Sequence, residues 1–298
     1  SLSELKITDG QVAMTDLEKG SARTVYDHID LTLGDYAPGK AFSIIAATHL
    51  AGTGAQTIKL EGRGGPVADE GMLATPFDGT LELEEVSLAG LQQLLHSQAL
   101  AGSDGVLSGK AAIQNGGGKL MSKGELKLEQ PRIRGVETGF PIAIDYDFNQ
   151  DAATQVIQLE HAKLTLGQTP VTVKGTIQVQ PTPAQLDLTV STPRVSIEEA
   201  ARLAAALGVA FNPSAKIAGN LQAQLNVRGA ASRPTYDGTI AADSLVITGK
   251  DLPRPVEIKA VNLALTPAAI RSSEFSATTA GTTVTAQFAL ADYAGPAP

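Results

Sequence analysis

The sequence predicts a mainly β fold with two short α-helices, a repeated antiparallel β-meander forming an elongated curved sheet or groove. Three observations carry this expectation. Apolar residues recur at every second position in many short segments, Gly, Pro, Asn and Asp separate those segments, and a helix-plus-meander unit repeats along the chain. A side-chain period of two places alternate residues on opposite faces of a strand, so each segment reads as aliphatic on one side and polar on the other.

In chain order, Leu5/Ile7 opens the first strand and Thr8-Asp9-Gly10 reads as a turn. Ile29/Leu31/Leu33, Leu81/Leu83, Leu126/Leu128, Ile142/Ile144 and Ile157/Leu159 continue the alternation. Leu164/Leu166, Val171/Val173, Ile177/Val179 and Leu186/Leu188/Val190 follow, then Leu221/Ala223/Leu225/Val227, Val256/Ile258, Leu263/Leu265 and Val284/Ala286/Phe288/Leu290. Asn115-Gly116-Gly117-Gly118 and Gln180-Pro181-Thr182-Pro183 are loops, because glycine supplies positive φ and proline fixes a turn dihedral. Two stretches have helical spacing instead. Ser87 caps a helix from Leu88 to His96, with Leu88, Leu91, Leu94 and Leu95 on one face. Ser196 precedes a second, from Ile197 to Leu207, where Glu199 completes a capping box and Gly208 stops the helix.

Val86-Ser87-Leu88 and Val195-Ser196-Ile197 lie 109 positions apart, and the correspondence continues downstream. Leu107-Ser108-Gly109 matches Ile217-Ala218-Gly219, Gly124-Glu125-Leu126 matches Gly238-Thr239-Ile240, and Pro141-Ile142-Ala143-Ile144 matches Pro255-Val256-Glu257-Ile258. The expected organisation is a partial repeat over 1–86, a helix-plus-meander repeat over 87–195 and a second over 196–298, stacked in one body.

Composition excludes several functions. The 298 residues carry 23 Lys+Arg against 31 Asp+Glu, a net charge of −8, with no basic run, so phosphate backbones are repelled and nucleic acid is not an expected partner. With no Cys there is no disulfide, thiolate metal site or Cys nucleophile. No segment has the run of ~20 apolar residues that a membrane-spanning helix needs, and Ser1-Leu2-Ser3-Glu4-Leu5 is already strand-like, as in a chain whose native N-terminus lies further upstream.

No enzyme chemistry emerges. His28, His49, His96 and His161 are scattered, and no Gly-x-Ser-x-Gly elbow appears. Gly34-Asp35-Tyr36-Ala37-Pro38-Gly39-Lys40-Ala41 has phosphate-loop spacing, but Ala41 lacks the Mg²⁺-binding hydroxyl and Phe42-Ser43-Ile44-Ile45 reads as a strand. Asp145-Tyr146-Asp147-Phe148-Asn149-Gln150-Asp151 alternates oxygen ligands like a calcium loop, yet Gln150 replaces the required Gly and Val156 the bidentate Glu. The expectation is a non-enzymatic chain with no catalytic residue, metal or cofactor. What remains is the aliphatic face, which either packs against a second sheet or stays open as a groove.

Leu5-Lys6-Ile7-Thr8-Asp9-Gly10-Gln11-Val12, Ile29-Asp30-Leu31-Thr32-Leu33 and Phe77-Asp78-Gly79-Thr80-Leu81-Glu82-Leu83 leading into Val86-Ser87-Leu88 resemble the periplasmic region of AsmA-family proteins. So does Tyr236-Asp237-Gly238-Thr239-Ile240 with Leu245-Val246-Ile247, and the resemblance covers essentially the whole chain. It implies a periplasmic location, an inner-membrane anchor through an N-terminal helix missing from this sequence, and a role in outer-membrane biogenesis. The implied ligand is a phospholipid or other acyl-chain lipid shielded along a β-groove. Each buried methylene contributes about 0.8 kcal/mol, so a continuous aliphatic trough suffices to hold an acyl chain. The candidate lining residues are Leu164, Leu166, Val171, Val173, Leu186, Leu188, Leu221, Leu225, Leu263 and Leu265. The competing reading is a scaffold whose exposed sheet edges bind an envelope protein.

Overall fold

The structure is a computed structural model that describes residues 2–14, 24–50, 53–69, 74–95, 100–133, 135–180, 182–206 and 215–291. Its elements run β1 (Leu2–Met14), β2 (Thr24–Tyr36), β3 (Phe42–His49), β4 (Thr57–Gly64), β5 (Phe77–Ser87), α1 (Leu88–Leu95), β6 (Asp104–Gly116), β7 (Lys119–Ile133), β8 (Val136–Glu137) and β9 (Ile142–Asp151). They continue with β10 (Val156–Leu166), β11 (Thr169–Gln178), β12 (Gln185–Ser196), α2 (Ile197–Ala206), β13 (Ala215–Ala230), β14 (Thr235–Gly249), β15 (Val256–Leu265), β16 (Ala269–Ser272), β17 (Phe275–Thr279), β18 (Thr282–Ala286) and β19 (Ala289–Ala291). The fold is mainly β with two short helices, and its strands form open antiparallel meanders that do not close into a barrel.

The chain divides into two compact units, one of residues 1–135 with 143–153 and one of 136–142 with 154–298. In the first unit β1 to β7 pair in sequence order, each strand with the next. Register places Ile7, Leu31, Ala46, Leu60, Leu81, Ala111 and Gly124 in one row across seven strands. Directly opposed residues share a face, so this row is the spine of an aliphatic side. The other side carries the charge ladder Lys59, Glu82, Lys110, Glu125, whose alternating signs set opposite charges against each other across strands.

Helix α1 rests on the aliphatic side. Leu88, Leu91 and Leu94 pack into a cluster with Leu50, Leu83, Val86 and Leu107, with Val86 fully buried. Its first turn is tied down as expected: Ser87 Oγ accepts from Gly90 N at 3.3 Å, and Gln56 Oε1 accepts from Ser87 N at 2.9 Å. His96 lies outside the described residues.

In the second unit β10 to β15 again pair in sequence order, and β15 continues to both β16 and β17. Helix α2 follows β12 as α1 follows β5, and Ile197 packs on the cluster of Ala242, Leu245, Ile258 and Val261. The repeat is therefore structural. Val86 and Val195, 109 positions apart, are 0% and 2% exposed. Gln130 and Ser244, 114 apart, both adopt positive φ, 47° and 55°.

Several local expectations change. Thr8-Asp9-Gly10 is a bulge inside β1, not a turn; Asp9 has φ 53° and pairing with β2 resumes beyond it. Glu199 does not close a capping box: its Oε2 accepts from Thr169 Oγ1 at 2.9 Å, tying α2 to β11. The alternation Val284/Ala286/Phe288/Leu290 is two strands, because β18 pairs with β17 while β19 pairs with β16. Leu207 and Gly208 lie outside the described residues. Of the 34–41 segment, Gly34 to Tyr36 end β2 and 37–41 form the β2–β3 connection, with Lys40 N donating to Ala37 O at 3.1 Å, and 145–151 lies within β9.

Candidate functional site

The ten nominated residues come from five different strands, and register brings all of them to one face of the second unit. Ala162, Val173, Val190, Leu225, Gly238 and Leu265 form one row. A parallel row runs through Leu159, Gly175, Leu188, Val227 and Tyr236. Leu164 opposes Val171, Leu186 opposes Ile177, Leu221 opposes Ala242, and Leu263 opposes Ile240. Leu166 and Leu265 are buried, at 2% and 8% exposure, and belong to the packed layer. The other eight are half-buried.

Glycine interrupts both rows for a steric reason. A Cβ on Gly175 or Gly238 would stand 2.1 Å from the carbonyl oxygen of Asp187 or Gln224, and both residues have positive φ, 132° and 142°. The neighbouring strand thus approaches too closely for any side chain. The reverse of this face is polar: Thr189 Oγ1 bonds Asn226 Oδ1 at 3.3 Å, and Arg228 pairs with Asp187 at 3.1 Å.

Surface area fits an open sheet better than two sealed cores. The chain exposes 18278 Å². Two sealed globules, each of half its 30.7 kDa, would together expose only about 14,000 Å². Consistent with this, Val86, Leu166 and Thr138 are the large side chains fully buried among the described residues, and the principal contacts of each strand run to ladder neighbours and the helices.

The nominated set misses the first unit. There a cavity of about 270 Å³ is lined by Val12, Tyr26, Ile29, Ala46, Ala47, Thr48, Ile58 and Leu60, with Leu94 of α1 at its wall. Its lining surface is almost wholly apolar, and the buried Oγ1 of Thr48 has no hydrogen-bond partner. The signal for it was present in the Ile58/Leu60 alternation and in the helical spacing of Leu91 and Leu94.

No family model, curated protein or solved structure matches the chain. Among the described residues no three His, Asp or Glu side chains converge to hold a metal ion, and no helix is long and apolar enough to cross a membrane. Two histidines that look unrelated in sequence do meet: the rings of His28 and His49 contact edge to face at 6.2 Å, and His28 Nδ1 lies 2.7 Å from Asp9 Oδ1. This group is exposed on the polar side. His161 is exposed on β10.

Proposed function

We propose that this chain is a non-enzymatic carrier that shields lipid acyl chains along its aliphatic sheet face, in the manner of an AsmA-like protein of outer-membrane biogenesis. In this reading it works in the periplasm and is held at the inner membrane by a segment outside this sequence. The observation that carries the proposal is the set of aliphatic side chains at the middle of the row, Val173, Val190 and Leu225, which are half-buried and uncovered by a second sheet among the described residues. Such a face is costly in water unless something apolar occupies it. Methylene chains suit it because it offers area rather than directional contacts, and its near-total lack of polar groups fits a ligand whose headgroup stays in solvent.

The test is mass spectrometry of lipids co-purified under mild conditions, combined with a photo-crosslinking residue placed at Val173 or at Thr176. Crosslinks to lipid from Val173 and none from Thr176, on the opposite face, are expected. An absence of bound lipid, or equal labelling from both faces, overturns the proposal.

A second reading, a scaffold that binds an envelope protein through its sheet edges, is favoured by β17 to β19. From Phe275 to Ala291 there is no charged residue, and Val284, Phe288 and Leu290 are 56%, 44% and 52% exposed. Uncharged, exposed edges accept added strands. Lipid-independent capture of one defined envelope protein, abolished by Val284→Lys, would support this reading over the first.

A further inference from the structure

The cavity of about 270 Å³ beside α1 lies in the first unit, apart from the nominated row. The core fixes its walls: Tyr26, Ile58 and Leu94 line it and also pack against the buried cluster around Val86. The lining presents almost no polar surface. Thr48 belongs to it, yet the Oγ1 of that residue is buried without a hydrogen-bond partner, so Thr48 presents carbon to the space. Val12, also in the lining, is 46% exposed, so the cavity is reached from solvent. An apolar recess of this kind forfeits contacts that only an apolar occupant restores.

We propose that this cavity is the end-pocket for one straight hydrocarbon chain, which enters it methyl end first. Size, chemistry and continuity select that occupant. An apolar cavity of ~150 Å³ admits one benzene ring, six carbons, so about 270 Å³ has room for roughly ten. Tyr26 is the one aromatic side chain in the lining, so a flat ring system finds no pair of faces to stack between. Ala46 and Leu60 are cross-strand partners in the lining, with Leu31 opposite Ala46 and Leu81 opposite Leu60. The cavity is thus continuous with the aliphatic row on both sides, and an extended chain leaves it without crossing polar surface. A compact ligand gains nothing from that continuity. The inference rests on the carrier reading for the course of the chain beyond the cavity, whereas occupancy of the cavity itself is measured separately.

The experiment is isothermal titration calorimetry of the 298-residue chain with 1-hexanol, 1-octanol and 1-decanol, neutral probes that the net charge of −8 does not repel. Circular dichroism checks that each variant is folded. Affinity should rise roughly fourfold per added methylene. 1-Adamantanol, a compact cage with as many carbons as 1-decanol, should bind about tenfold more weakly because it buries less surface. Ala46→Phe, which fills the cavity, and Leu94→Ala, which removes the wall on α1, should each weaken 1-decanol about tenfold. Affinity that does not grow with chain length, a cage that binds as well as the chain, or indifference to both substitutions overturns the proposal. Binding of 1-decanol that Leu225→Asp removes and Ala46→Phe leaves intact also overturns it, placing the chain on the second-unit row and keeping the carrier reading. Binding that Ala46→Phe removes, in a protein that yields no co-purified lipid and labels equally from Val173 and Thr176, supports the end-pocket and sinks the carrier reading alone.

Discussion

Gly175 lies directly opposite Leu188 in the β11–β12 ladder, and a Cβ on Gly175 would stand 2.1 Å from the backbone oxygen of Asp187. The closeness of the two strands at this point depends on there being no side chain at all. Gly175→Ala must therefore push the strands apart as well as force an L-residue to φ 132°. The expected loss is about 2–3 kcal/mol of unfolding free energy, read from urea denaturation. A loss below half a kcal/mol would show that the ladder yields easily there.

Val86 and Val195 occupy equivalent places near the ends of β5 and β12, just before α1 and α2, and both are buried. Truncation to alanine removes two methyl groups and leaves a cavity at each site. Each of Val86→Ala and Val195→Ala should cost about 2–3 kcal/mol. The two costs should be similar if the repeat is energetic as well as geometric, and differential scanning calorimetry measures both.

Gln56 is 5% exposed and its Oε1 accepts from Ser87 N at the start of α1. Gln56→Ala leaves that buried amide without a partner at a cost of about 1–3 kcal/mol. Hydrogen exchange should show α1 opening more readily than in the parent, while the ladder between β12 and β13 keeps its protection.

Leu225 and Gln224 are neighbours on opposite faces of β13. If the aliphatic face holds acyl chains, Leu225→Asp should strip co-purifying lipid severalfold, because a carboxylate in that row must be desolvated on binding. Gln224→Asp should leave lipid content unchanged. Lipid quantification on both variants, with thermal melts to confirm folding, makes the comparison.

The ion pair between Asp187 and Arg228 joins cross-strand partners on the polar face, with side chains 67% and 58% exposed. Exposed pairs of this kind contribute about 0.2–1 kcal/mol and are screened by salt. Asp187→Asn should lower stability only within that range, and the difference from the parent should vanish at molar salt in equilibrium unfolding.

The element types, the hairpin at Asn115 to Gly118 and the helix cap at Ser87 are all readable from residue pattern, because each depends on neighbours close in sequence. So is the membership of the aliphatic face, since all ten nominated side chains share it. The bulges are what the pattern conceals. At Ser244 the aliphatic phase of β14 switches from even positions, Ile240 and Ala242, to odd ones, Leu245 and Ile247. At Glu85 it switches from Leu81 and Leu83 to Val86. A reader who follows strict alternation sees such a slip as a chain break, which is why Thr8-Asp9-Gly10 resembles a turn while lying inside one strand. The Glu199–Thr169 bond and the meeting of His28 with His49 escape for a different reason: both depend on register between strands, which composition does not encode.

Within each unit the long ladders join strands that follow one another in sequence, from β1 through β7 and from β10 through β15. Loop closure is then cheap at every step, and any hairpin is able to nucleate its neighbours without waiting for distant parts of the chain. Such a ladder also tolerates the gain or loss of a whole hairpin, since removing two adjacent strands rejoins the flanking ones in the same direction. The extent of the aliphatic face is in this sense a countable quantity, lengthened or shortened two strands at a time.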